Sequence, residues 1–189
     1  MDTPDIHPLI ADRRSPYAFD ADKPVNTQDL TALFNAARWA ASSYNAQPWR
    51  YIVGVREHDE PTWQKVFDAL LEGNQPWAAN APVLALGLVQ PHFEHNGKPN
   101  KAALHDLGAA AAQLTLEATA RGLVVHQMIG IDPEKARGSF QVPAHLDVVT
   151  GLAIGYAGSA DAVPEAYAQR DASPRTRKPL TDIIFAGGL

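Results

Sequence analysis

The sequence contains no cysteine. That absence removes disulfides, thiolate nucleophiles and cysteine zinc sites together, so any redox chemistry must come from a bound cofactor. No apolar run approaches membrane-spanning length. The opening MDTPDIHPLI has neither the basic start nor the long apolar core of a secretory signal, and the cytoplasm is the expected location. Positive charge is scarce: sixteen Lys and Arg face twenty-one Asp and Glu, a net charge of −5 that argues against a nucleic-acid surface. There is no internal repeat and no lysine-bearing phosphate loop. Gly151, Gly155 and Gly158 have the wrong spacing for a dinucleotide loop and read as strand and turn glycines. His92, His95 and the His105-Asp106 pair lack HExxH spacing and read as polar side chains in contact with water rather than a metal site. Ser42 and Ser43 lack the surroundings of a nucleophile elbow.

What is present is a globular balance of apolar and charged residues in 189 positions, enough for one sizeable core, and a single domain over 1–189 is expected. A short helix is predicted over 4–13, ending where Pro16 restricts Ser15. A second starts near Asn26 or Thr27 and carries Leu30, Leu33, Phe34 and Ala37 on one face. Trp49 to Val55 alternates as a strand, with Trp49 expected to be packed inside. Pro61 suits the first turn of a third helix bearing Trp63, Val66, Phe67 and Leu70 and closed by Gly73. Residues 81–89 form a nearly continuous apolar run, predicted as a central strand covered on both faces. The longest helix is predicted over 101–121, rich in alanine and ended by Gly122. Residues 122–130 read as a strand, Asp132-Pro133-Glu134 opens a short helix, and the last strand lies in HLDVVTGLAIGYAG. Beyond Gly158 the chain becomes a polar, proline-bearing arm whose apolar end, Ile183, Ile184 and Phe185, needs a partner surface. These elements together predict an α+β fold.

Two basic clusters stand out against the acidic background: Arg13-Arg14, and Arg175, Arg177 and Lys178. Arg13-Arg14-Ser15 could hold a phosphate through charge-assisted hydrogen bonds, or the arginines could complement a helix dipole. Arg175-Thr176-Arg177-Lys178 is equally open between an anion site and a solvated tail. Scarcity of positive charge, and a hydroxyl beside each cluster, favour a compact anion.

Arg13-Arg14-Ser15, then SSYNAQPW at 42–49, then Gly73-Asn74-Gln75, then Arg175-Thr176-Arg177, in that order, resemble the nitroreductase family of FMN-dependent enzymes, and the likeness spans nearly the whole chain. The resemblance implies an α+β fold with a mainly antiparallel central sheet flanked by helices, and an intertwined homodimer with a C-terminal arm and two FMN sites at its interface. It places Arg13, Arg14 and Ser15 at the phosphate and ribityl end of FMN, joined by Arg175 and Arg177, and Asn74 at the pyrimidine edge of the flavin. Gln127, Met128, Ile129 and Gly130 match a segment along one flavin face, with the Gly130 N–H toward N5. Ser42, Ser43 and Asn45 match positions that reach the flavin from the opposite subunit. Tyr17 stands where many relatives carry Arg or Lys near the flavin N1–O2 edge, and Ala41 where many have proline.

The activity so implied is transfer of hydride from NADPH or NADH through flavin N5 to an electron-poor acceptor such as a nitroaromatic or a quinone, in ping-pong order, with no side chain acting as nucleophile. A second reading from a different class is an FMN-binding sensor or storage protein without efficient nicotinamide turnover, which Tyr17 keeps open.

Overall fold

The computed structural model describes residues 6–185. His7 caps a first helix, α1 (Pro8–Asp12), which is shorter than the 4–13 expected. Residues 4 and 5 of that expectation lie outside the described span. Asn26 Oδ1 accepts from the Asp29 backbone N–H at 2.8 Å and starts α2 (Thr27–Arg38). The strand β1 (Trp49–Val55) follows, and Trp49 is buried as its place in the pattern requires. Asp59 caps α3 (Glu60–Asp68), with Pro61 in its first turn, where the missing N–H costs nothing.

The helix α3 stops at Asp68 rather than at Gly73. Leu70 leaves it to bridge Ile131, and the Leu71 N–H donates to Gly130 O at 3.0 Å, so tertiary pairing takes the chain away before the glycine. A single unanticipated turn, α4 (Gln75–Ala78), then leads into β2 (Val83–Val89). The long helix α5 (Ala103–Ala120) closes at Gly122, whose φ is +73° and whose successor Leu123 donates back to Ala118 O at 2.8 Å. The remaining elements are β3 (Val124–Met128), α6 (Pro133–Phe140) capped by Asp132, and β4 (Asp147–Gly155). The arm beyond Gly158 is not all loop: it contains α7 (Glu165–Ala172), which no strong apolar periodicity announces.

The four strands form one antiparallel sheet in the order β1-β2-β4-β3. Every residue of β2 is buried, as a strand covered on both faces must be. Its side chains alternate between two cores. Leu84, Leu86 and Leu88 pack with Trp63 and Val66 of α3, Trp77 of α4 and Ala136 of α6. Val83, Ala85 and Val89 pack with Leu33 and Ala37 of α2 and with Ala103, Leu107, Ala110, Leu114 and Ala118 of α5. The alanine face of α5 is therefore spent on close packing. Pairing of β2 with β4 slips between Gly87 and Leu88. That irregularity explains why Val148 faces the α3 side while Leu152 and Ile154, of the same parity, face α5. Gly54 allows α3 to lie directly on β1, since a Cβ there would stand 2.3 Å from the Trp63 backbone nitrogen.

Ile183, Ile184 and Phe185 are exposed in the single chain, so the arm ends on an uncovered apolar segment as expected. Among the described residues no helix is long and apolar enough to cross a membrane.

Candidate functional site

The structure gathers the sequence-derived candidates into three groups. The first joins the two ends of the chain. Arg13, where α1 gives way to extended backbone, reaches Ser15 Oγ with Nη1 at 3.0 Å. Arg175 Nη1, from the arm, donates to the Arg13 backbone carbonyl at 2.9 Å. Arg13, Arg14, Ser15 and Arg175 line a hollow of about 310 Å³, and Arg13, Arg175 and Arg177 line an adjoining one of about 550 Å³. Burial, then the charges of Arg177 and Arg175, lower the pKa of the Arg13 guanidinium. Among the described residues none of these four arginines forms an ion pair. Asp12, Arg170 and Asp171 line the smaller hollow as well, so cations exceed carboxylates there, and a compact polyanion would fit guanidinium groups that no carboxylate pairs directly.

The second group is built on the turn after β3. Asn74 Nδ2 donates to Gly130 O at 2.8 Å, and a Cβ at Gly130 would stand 2.4 Å from that nitrogen. Glycine is required for this approach. The Ile131 N–H closes the turn onto Ile129 O at 2.7 Å, leaving the Ile129 side chain three-quarters exposed. Gln127 and Met128 behave differently from their neighbours. The Gln127 amide is turned into α5, where it donates to Thr115 Oγ1 at 3.1 Å, and Met128 is buried in the core. Of the four residues at 127–130, Gln127 and Ile129 are exposed, Gly130 is half-buried and Met128 is buried.

The third group is a 3-10 turn over Ser43–Asn45. Tyr44, Asn45 and Gln47 all have positive φ, which for residues other than glycine marks a held conformation. Ser42 Oγ accepts from the Gln47 N–H at 3.0 Å, and the Ser43 N–H donates to the buried carboxylate of Asp106 at 3.0 Å. Asn45 is exposed. No hydrogen bond among the described residues connects this turn to the arginines or to Asn74.

Tyr17 sits between the first two groups. Its ring packs edge-on to Trp77 at 5.3 Å and lies against His126 at 4.8 Å and Tyr167 at 5.1 Å. His126 Nδ1 donates to Pro16 O at 3.0 Å, and burial lowers the imidazole pKa despite that hydrogen bond and the nearby Asp171 charge. Sequence reasoning missed Trp77, His126 and Asp171. Only His126 carried a local signal, as a titratable residue inside a strand that is mostly apolar.

A concavity of about 740 Å³ lies elsewhere, on α2 between Leu30, Phe34, Arg38, Val53 and Arg121. It is a broad open groove, and Arg121 is already engaged with Asp29 and Glu117. The chemistry-bearing residues are at the arginine hollows and the Asn74 turn.

Comparison with known proteins shows the family and the fold. Residues 10–156 match the model of a family described as the nitroreductase family. An uncharacterized 15.4 kDa protein of Mycolicibacterium smegmatis is 35% identical over 144 residues, covering 73% of this chain and 95% of that protein. The major NAD(P)H-flavin oxidoreductase of Aliivibrio fischeri is 36% identical over 73 residues, 37% of this chain and 34% of that protein. Among solved structures, an oxidoreductase containing FMN superposes with a TM-score of 0.91 at 34% identity, covering 99% of this chain and 94% of that one.

Proposed function

The chain belongs to the nitroreductase family, and from that premise we propose that it is an FMN-dependent oxidoreductase that passes reducing equivalents from NADPH or NADH to an electron-poor acceptor such as a nitroaromatic or a quinone. FMN supplies the redox chemistry when bound, accepting a hydride equivalent from the nicotinamide and returning electrons to the acceptor, which makes the kinetics ping-pong. Residues 1–189 act as one FMN-binding domain. The observation that carries the reading is the convergence of Arg13, Arg175 and Arg177 from opposite ends of the chain, with no ion-pair partner among the described residues.

In this reading Arg13, Arg14, Arg175 and Arg177 hold the phosphate, and Ser15 keeps the Arg13 fork in place. A phosphate monoester near its dianionic form matches several guanidiniums without further countercharge. Asn74 spends one N–H on Gly130 O, leaving its other N–H and its Oδ1 for the donor and acceptor edge of the flavin pyrimidine. Gly130 presents backbone where a side chain would stand in the way. Ser42, Ser43 and Asn45 serve the cofactor of a partner subunit, which explains why a rigidly held, exposed turn makes no hydrogen bond to Arg13, Arg14, Arg175 or Arg177 of its own chain among the described residues. The apolar arm end at Ile183, Ile184 and Phe185 covers that partner, completing an intertwined homodimer in the cytoplasm.

Adding FMN to the apoprotein, then NADPH or NADH under anaerobic conditions, tests the proposal by absorbance. Binding followed by rapid bleaching of the flavin bands is expected, and bands that persist with both nicotinamides would overturn it in favour of a flavin sensor or store. That second reading draws on Tyr17, whose aromatic packing puts no basic side chain at position 17.

A further inference from the structure

The residues assigned to the two ends of the cofactor are carried by separate segments, yet both are fastened to one helix. The carboxylate of Asp171, near the end of α7, accepts three backbone hydrogen bonds: from the Tyr17 N–H at 3.0 Å and 2.9 Å, one to each oxygen, and from the Ala18 N–H at 3.0 Å. Arg14 Nη2 donates to the Asp171 backbone carbonyl at 3.3 Å. The stretch that bears Arg13, Arg14 and Ser15 is thus pinned immediately downstream. One turn earlier on α7, the Tyr167 hydroxyl donates to Gly73 O at 2.8 Å, and its ring packs on Tyr17. Gly73 directly precedes Asn74.

We propose that Asp171 and Tyr167 are positioning residues, with α7 acting as a brace that sets the distance between the phosphate clamp and the Asn74 turn. The inference rests on the FMN reading above. Neither residue needs to touch the cofactor. Asp171 spends its oxygens on backbone, and Tyr167 spends its proton on a backbone carbonyl, so each orders a segment whose side chains do the binding.

The sign of the Asp171 effect separates this role from an electrostatic one. Asp171 lines the same hollow as Arg13, Arg14 and Arg175. If its charge were all that mattered, removing it would make the hollow more positive and tighten a bound dianion. If it positions the strap, removing it loosens the clamp and weakens the same anion.

The test compares FMN with riboflavin, which has the same ring system and no phosphate, by fluorescence titration of the apoprotein. Asp171→Ala is expected to weaken FMN about tenfold, and Asp171→Asn, which keeps one acceptor oxygen, by less, with riboflavin weakened less than FMN in each variant. Tyr167→Phe is expected to weaken both flavins by a similar factor, about threefold, because it frees the turn that meets the shared ring. Should Asp171→Ala fail to fold, Asp171→Asn carries the same comparison. FMN binding that is unchanged or tighter in the Asp171 variants overturns the inference, as does equal loss of both flavins. Wild-type affinity for both flavins in Tyr167→Phe overturns the bracing of the Asn74 turn. A wild-type apoprotein that binds neither flavin overturns the functional reading itself, and the brace with it.

Discussion

Asn74 Nδ2 and Gly130 O lie 2.8 Å apart although 56 residues separate them in the chain. The bond ties the segment after α3 to the turn after β3, and it leaves half of the Asn74 amide uncommitted at a surface lined by backbone. Substituting Gly130→Ala places a Cβ 2.4 Å from that nitrogen. The atom it meets is the end of a side chain, so the amide swings away at a stability cost of about 1 kcal/mol. FMN affinity should fall far more than the melting temperature, and paired titration and melting measurements check it. Unchanged FMN affinity would remove Asn74 from the site.

Arg177→Gln should move two properties in opposite directions. The Arg177 charge is one of the causes that lower the Arg13 pKa, after burial and ahead of Arg175. Relieving that repulsion should raise the melting temperature of the apoprotein. Loss of a phosphate contact should weaken FMN about tenfold, so the stabilisation conferred by a fixed FMN concentration shrinks. Melting with and without FMN measures both.

His126 should make stability depend on pH on the acid side. Burial, opposed by the Pro16 hydrogen bond and the Asp171 charge, brings its pKa below the ordinary 6.5, so the fold favours the neutral ring. Between the folded pKa and 6.5 the unfolded chain binds the additional proton, and stability falls as pH is lowered through that window. His126→Phe should flatten this part of the profile, at a cost of about 1 kcal/mol near neutrality from the lost Pro16 bond. Denaturant midpoints measured across the window decide it, and an unchanged slope would show that other groups govern acid sensitivity.

Tyr51 should do the reverse on the alkaline side. Its hydroxyl is buried without a partner among the described residues, and burial pushes its pKa from 10.0 to about 12. The unfolded chain ionises first, so stability drops as pH rises from 10.0 toward about 12. Tyr51→Phe should remove that drop and add about 1 kcal/mol at neutral pH by eliminating an unsatisfied polar group. Urea unfolding at both pH values tests the pair of effects.

Local chemistry was enough to place most of the regular elements from sequence. Asn26, Asp59 and Asp132 cap the helices that follow them through their own side chains, and β2 is apolar at nearly every position because both its faces are covered. These features are set by neighbours in the chain, so they can be read from it. The order of weak motifs was likewise enough to point to the family that the match over residues 10–156 shows.

What the sequence left open depended on partners distant in the chain. The end of α3 could not be read, because the Leu70–Ile131 bridge and Gly130 O, not Gly73, draw the chain out of the helix. Nor could the direction of the Gln127 amide, which its hydrogen bond to Thr115 of α5 decides. The helix α7 has little apolar patterning, and its place follows from Asp171 meeting backbone N–H groups more than 150 residues away. By itself the sequence determined where most helices and strands lie, α4 and α7 excepted, and where the scarce positive charge is clustered. Tertiary structure alone brought Arg13 to Arg175 and Asn74 to Gly130, because a hydrogen bond between residues far apart in sequence exists only once the sheet and its two cores have fixed where each segment ends.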